Sequence, residues 1–378
     1  MRPHRIFATG TALVIFTGAV LAQDPPSRDT VVETQLLPRA VKASVQKLAA
    51  ASSTTLSTVD RFVQARRLIE AGRASGDPRT LGYAESLLAP WPADDPRAPL
   101  EALVLRATIE QSRHRFDAAR ALLDRVIARA PDHGQALLTR ATIAQVRGDY
   151  AAATADCLRL RPLNVDVSAI CGALTDALTG NNERALATLR IATERTQGAV
   201  RAWALGALAQ VHEQRGERKE AAETYRASLA AGDDLTTRLA FVDLLIEQRA
   251  WSEAHQMLAI APPADGVLLR RWQIESATGG ASAPLASQLQ ARIDEAIARG
   301  ELLHAREAAV FALERGDAAT SLRLAHDNWS AQREPADLRV LARAARAAND
   351  PIALSEVQAW IRRTGLVDAR LRAPRQGA

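Results

Sequence analysis

Residues 211–217, VHEQRGE, open like the metalloprotease signature H-E-x-x-H, in which two histidines one helical turn apart hold zinc and the glutamate activates water. Gly216 stands where the second histidine is required, so His212 lacks its i+4 partner and no tetrahedral site can form. The surrounding residues supply a different reason for both. Ahead of Gly216, Leu205, Leu208, Ala209 and His212 fall at i, i+3, i+4 and i+7; beyond it, Ala221, Tyr225, Ser228 and Leu229 share one face of a second helix. The spacing predicts two amphipathic helices meeting at a glycine turn.

That turn recurs along the chain. Gly148 lies 68 residues upstream, in AQVRGDYAAATADCL, and places Ala153 and Cys157 at the offsets of Ala221 and Tyr225. His114 lies 34 residues before it, and Gly180 divides the interval between Gly148 and Gly216. Downstream, Arg249, Gly316 and Asn349 continue at intervals of 33, 67 and 33. One unit, roughly 266–299, is degenerate, with a longer Gly/Pro/Ser turn, and the first unit has a stretched turn. The count is about nine helix pairs between residues 57 and 365. Alanine, leucine and arginine dominate and aromatics are only 4% of the chain, which favours helix over sheet.

These features resemble the tetratricopeptide repeat, a 34-residue helix-turn-helix with the pattern W-x2-L-G-x2-Y, then A-x3-F, then P. Around Gly216 the Leu-Gly pair is Leu208-Ala209, the tyrosine slot is His212, and the later alanine and aromatic are Ala221 and Tyr225. Elsewhere the match is partial: Arg106-Ala107, Arg140-Ala141, Gly172-Ala173 and Ala308-Ala309 keep the small residue more often than the leucine, and proline closes a unit clearly only at Pro90 and Pro131. The resemblance covers about four fifths of the chain and takes its specificity from recurrence. It implies an all-α fold, a right-handed superhelical α-solenoid of stacked helix-turn-helix repeats. His212 then occupies a slot between packed helices, and small residues such as Ala153, Ala209 and Ala221 let neighbouring helices approach.

A stack of this kind leaves a long concave surface, and the resemblance implies that the first helix of each pair lines it. On that face lie Trp203, Gly206, Gln210, Glu213 and Gln214; then Thr108, Gln111 and Ser112; then Thr142 and Gln145. The following unit is apolar there, and further on the face carries Asp243, Glu247, Arg306, Arg339, Arg343 and Arg346. Trp203 is the leading groove residue, with a packed helix-start tryptophan as the alternative. The arginines suit an acidic peptide or anionic ligand through bidentate contacts, or form a solvated face. The clamp with which some such repeats hold a C-terminal carboxylate is missing, because Val104, Thr108, Leu138, Thr142, Ile170 and Leu174 stand in its place.

The N-terminus points to export. Arg2 and Arg5 precede an apolar run from Ile6 to about Val20, and Val20 and Ala22 fit a cleavage site before Gln23. The expected organisation is a signal peptide over 1–22, a segment with a leading helix over 23–56, the solenoid over 57–365 and a basic disordered tail over 366–378. The product is expected in the periplasm or outside the cell, with no integral membrane span after cleavage, since the apolar run is shorter than the ~20 residues that cross a bilayer. Cys157 and Cys171 are the only cysteines; they either pair, which an oxidising compartment permits, or are two buried small side chains.

The formal charge is +5, and without Arg2 and Arg5 it is +3. Arginines near the C-terminus hold that surplus, and no basic stripe interleaved with aromatics marks a nucleic-acid partner. The histidines after the leader are scattered, and no phosphate loop, dinucleotide fingerprint or nucleophile elbow occurs. The expectation is a non-catalytic scaffold, without cofactor or metal, that takes a protein or peptide into its groove. The rival readings are a solenoid enzyme or enzyme subunit of the cell envelope, acting for example on peptidoglycan, and a component of an envelope assembly or export complex.

Overall fold

A computed structural model describes residues 56–75, 79–298 and 305–371. The expected signal peptide, nearly all of segment 23–56 and residues 372–378 lie outside the described residues. Within them are 18 α-helices and no strands. They pair in chain order: α1 (Thr58–Ser75) with α2 (Arg79–Leu87), α3 (Leu100–Ser112) with α4 (Phe116–Arg129), α5 (Gly134–Arg147) with α6 (Tyr150–Arg159), and α7 (Val165–Leu178) with α8 (Asn182–Arg195). Next come α9 (Gly198–Arg215) with α10 (Arg218–Ala231), α11 (Leu235–Glu247) with α12 (Trp251–Ala259), and α13 (Asp265–Thr278) with α14 (Ser282–Ala298). Last are α15 (Ala305–Glu314) with α16 (Ala318–Ala331), and α17 (Pro335–Ala347) with α18 (Pro351–Thr364). The degenerate stretch thus also forms a helix pair.

The residues that mark the period share one backbone feature. His114, Gly148, Gly180, Gly216, Arg249, Gly316 and Asn349 all have positive φ, between 53° and 85°. Gly279 does the same in the degenerate pair. A left-handed residue ends the first helix and reverses the chain into the second. At Gly148, Gly316 and Asn349 the next residue is an aspartate whose side chain accepts from backbone N–H groups of the second helix: Asp149 from Ala152, Asp317 from Thr320, and Asp350 from Ile352 and Ala353.

The small-residue slots are sealed. Ala107, Ala141, Ala173, Ala209 and Ala309 on first helices, and Ala119, Ala153, Ala185, Ala221 and Ala254 on second helices, are at most 1% exposed. A larger side chain in such a crossing costs about 1–3 kcal/mol in displaced neighbours. His212 is also buried; its Nδ1 lies 2.6 Å from Glu217 Oε2. Burial works against the Glu217 charge, but hydrogen bonds from His212 and Arg215 hold its carboxyl below the usual range. Cys157 and Cys171 form a disulfide across a Cα separation of 5.5 Å, tying α6 to α7.

The solenoid curls far enough to meet itself. Gln332 Nε2 lies 3.1 Å from His114 Nδ1, Arg333 N donates to Val146 O at 2.7 Å, and Trp360 covers Gly148. Gly365 sits against Gly180, Asn182 donates to Val367 O at 3.2 Å, and Ala369 abuts Gly216. The end of the array therefore runs along successive interhelical turns of pairs two to five. Residues 366–371 are not the disordered tail the sequence suggested: Leu366, Asp368 and Leu371 are buried, and Ala369–Leu371 form a 3-10 turn. Apolar side chains at 366 and 371 give this segment a surface to bury, and Asp368 gives it a salt bridge.

Candidate functional site

Closure turns the concave groove into a cavity of about 600 Å³, walled by first helices from across the array and floored by residues of the returning end. That volume lies in the range of sites for small molecules or short peptide segments. Its apolar wall includes Leu81, Phe116, Val146, Leu235 and Leu239; its polar wall includes Gln111, Thr142, Gln210 and Gln214.

The charged wall is largely self-neutralised. Arg270 grips Asp243 bidentately at 2.7 and 2.6 Å and donates to Gly266 O at 2.8 Å. Arg306 bonds Asp337 and Glu334, each at 2.5 Å. Arg339 bonds Asp368 at 2.7 Å, and Arg370 bonds Glu213 at 2.8 Å and Glu247 at 3.2 Å. Burial opposes the charge on Arg270, Arg306 and Arg370, yet the facing carboxylates outweigh it and raise all three pKa values, so these groups stay charged. Burial pushes the Glu213 carboxyl up, with Arg370 and the Tyr225 hydroxyl, which donates to Glu213 at 2.5 Å, pulling it back.

Two buried wall atoms have no hydrogen-bond partner among the described residues: Gln214 Oε1, and Arg370 Nε, which lies 3.8 Å from Asp368 Oδ1. An unsatisfied buried acceptor costs about 1–3 kcal/mol, which a ligand N–H would recover. Arg73, which also lines the cavity, makes no ion pair among the described residues; burial lowers its pKa while Asp234 and Glu70 pull it up.

Six of the ten groove residues expected from sequence line this cavity: Gln111, Thr142, Gln210, Gln214, Arg306 and Arg339. Four do not. Trp203 packs between the hydrophobic clusters of the second to fifth pairs, as a helix-start tryptophan does. Thr108 turns its hydroxyl back to Val104 O at 2.9 Å. Gln145 is buried and its amide donates to Cys171 O at 3.0 Å and Thr175 Oγ1 at 2.9 Å, joining neighbouring pairs. Arg343 is exposed and faces Glu314 at 3.5 Å. Sequence reasoning missed Arg270 and Arg370: Arg270 lies on the first helix of the degenerate pair and bonds Asp243 of the pair before it, while Arg370 faces the cavity only because of closure.

No family profile and no curated protein matches the sequence. Solved structures are similar in architecture. A tetratricopeptide repeat protein from Parabacteroides merdae is 14% identical with a TM-score of 0.38, covering 81% of this chain and 99% of its own. PilF of Pseudomonas aeruginosa is 16% identical with a TM-score of 0.36, covering 71% and 98%. A Rap protein complexed with competence and sporulation factor is 12% identical with a TM-score of 0.47, covering 85% and 95%. The fold is a TPR-like α-solenoid. That statement rests on this chain's own period, left-handed turns and sealed alanine slots.

Proposed function

We propose that this array is a non-catalytic binding scaffold of the periplasm that encloses a short segment of a protein or peptide in its central cavity. The carrying observation is closure itself: the returning end narrows the groove to a half-open cavity of mixed lining with a buried acceptor at Gln214 Oε1 that has no hydrogen-bond partner among the described residues. A peptide backbone offers the N–H that acceptor lacks, and its side chains suit walls that alternate Gln and Thr with Leu and Phe. The wall carboxylates are engaged by arginines, which favours binding over acid-base chemistry, and the wall charge is too balanced to favour a nucleic acid. The periplasmic setting rests on the leader read in residues 1–22 and agrees with the Cys157–Cys171 bridge.

A photo-crosslinking residue at position 210, on the cavity wall, and one at 190, on an exposed face of α8, separate this reading from its rivals. The expected result is a discrete peptide or protein adduct from position 210 in periplasmic extract, absent from position 190 and reduced by Gln214→Leu. Adducts only from position 190, or conversion of envelope material by the purified chain, would overturn it.

A further inference from the structure

The seam where the array meets itself carries a second group of arginines. Arg147, at the end of α5, donates to Ser330 O at 3.2 Å and Ala331 O at 3.0 Å. Arg333, in the loop before α17, has its Cζ 5.2 Å from the centre of the Trp360 ring, and Arg363 of α18 has its Cζ 4.4 Å from the same ring. None of the three makes an ion pair among the described residues. The carboxylates nearby are directed elsewhere: Glu334 to Arg306 and Glu356 to His326 at 3.6 Å.

Arg333 is held within electrostatic reach of both other guanidinium groups, and burial, then Arg147 and Arg363, lower its pKa against the pull of Glu356. Glu356 is the one carboxylate among the described residues within electrostatic reach of Arg333 and pulls the other way, so three guanidinium groups outnumber it and favour an anion that can reach them. Stacking on an indole orients a guanidinium plane and leaves its N–H edge for a ligand. Tyr150 adds a hydroxyl with no protein hydrogen bond among the described residues; its ring lies 6.3 Å from that of Trp360. Burial pushes its pKa up to about 12, so the hydroxyl keeps its proton.

We infer that this part of the seam is a binding site for an oxyanion of the phosphate or sulfate class, held between guanidinium groups contributed by both ends of the closed array. Arg147 and Tyr150 come from the third pair, Arg333 and Arg363 from the end of the chain, so one anion bridges segments 183 to 216 residues apart in sequence. Because it binds only when those segments meet, it stabilises closure by mass action. The site is separate from the cavity and stands whether or not a peptide occupies it.

The test uses the full mature chain and two sources of the same chemistry. Inorganic phosphate and sulfate are titrated against chloride at matched ionic strength, with tryptophan fluorescence and thermal unfolding as readouts; in parallel, flotation is measured with phosphatidylglycerol and phosphatidylcholine vesicles. A saturable response to the free oxyanion, to the anionic vesicle or to both supports the site and names its source. Arg333→Gln and Arg363→Gln should each weaken that response about tenfold, the loss of one charge-assisted hydrogen bond, and Arg362→Gln, exposed and one residue away, should not. A response no larger than that to chloride in both arms, or one that survives both glutamine substitutions, would overturn the inference. Arg363 is exposed, so its variant remains informative if Arg333→Gln fails to fold.

Discussion

Arg270, Arg306, Arg339 and Arg370 on the cavity wall each face a carboxylate, whereas at the seam Arg147 faces carbonyl oxygens and Arg333 and Arg363 lie over an indole ring. The first group needs its partners to be buried at all. The second holds charge in excess of what the fold neutralises. One kind of side chain thus serves two purposes on the same solenoid: at the wall it fixes the positions of helices, and at the seam it leaves a potential that only a solute can satisfy. Deleting a carboxylate at the wall should be severe, and deleting an arginine at the seam should be mild.

The largest expected effect is at Asp368, whose side chain is fully buried and accepts from Arg339 at 2.7 Å and from Arg370 N at 2.9 Å. Asp368→Ala leaves Arg339 without its partner and loosens the segment that closes the array, a cost of about 2–4 kcal/mol. Amide hydrogen exchange over α17 and α18 measures it; protection unchanged from the parent would show that closure does not depend on this bridge.

Gly148→Ala attacks the seam by shape instead of charge. At φ 77°, an added Cβ lies 3.0 Å from Trp360 Cζ2 and nearer still to Cη2. The left-handed conformation and the overlap together cost about 2–4 kcal/mol, and Trp360 emission should shift as its ring is pushed from the turn. Gly316→Ala supplies the control, since a Cβ there meets nothing within 4 Å and only the conformational part remains. Equal losses from the two variants would mean that the seam opens readily in solution.

A pH dependence separates the wall further. Burial pushes the Asp337 carboxyl from 3.8 up to about 6, against the pull of Arg306. A raised folded-state pKa means that folding takes up a proton. The contribution is therefore present in full below about pH 3.8 and is lost as pH rises through about 6. The unfolding free energy of the parent, from urea titrations, should fall between pH 4 and 6 relative to that of Asp337→Asn, by an amount on the order of 2 kcal/mol. A parallel course for the two proteins would show that Asp337 titrates normally.

Much of the fold was legible because a repeat writes the same local instruction many times. His114, Arg249 and Asn349 break the glycine rule at the turn, yet position alone identified them, and all three adopt the left-handed conformation. Gln210 and Gln214 were legible as groove residues because helix geometry fixes which face is free. Closure was not legible. Its contacts join turns near residues 114 to 216 with residues 332 to 370, and nothing in a local period encodes a meeting between distant copies of it. The same reason hid Arg370, whereas Gln145, and the choice between the two readings of Trp203, turned on how adjacent pairs stack. Leu366 and Leu371 were the overlooked signal: two apolar residues in a segment taken as solvated.

Arg333→Gln is expected to have the smallest effect on stability, and its sign is informative. Arg333 makes no ion pair, so its removal strands no buried carboxylate; what is lost is the stacking on Trp360, about 0.5–1 kcal/mol at a partly exposed site. What is gained is relief from Arg147 and Arg363, which oppose its charge. The two are similar in size, so in chloride at low ionic strength the variant should match the parent within about 0.5 kcal/mol. Added phosphate should then stabilise the parent at concentrations about tenfold lower than those the variant needs. A loss above about 2 kcal/mol in the absence of phosphate would place Arg333 with the wall arginines, as a structural cation whose counter-charge lies in the fold.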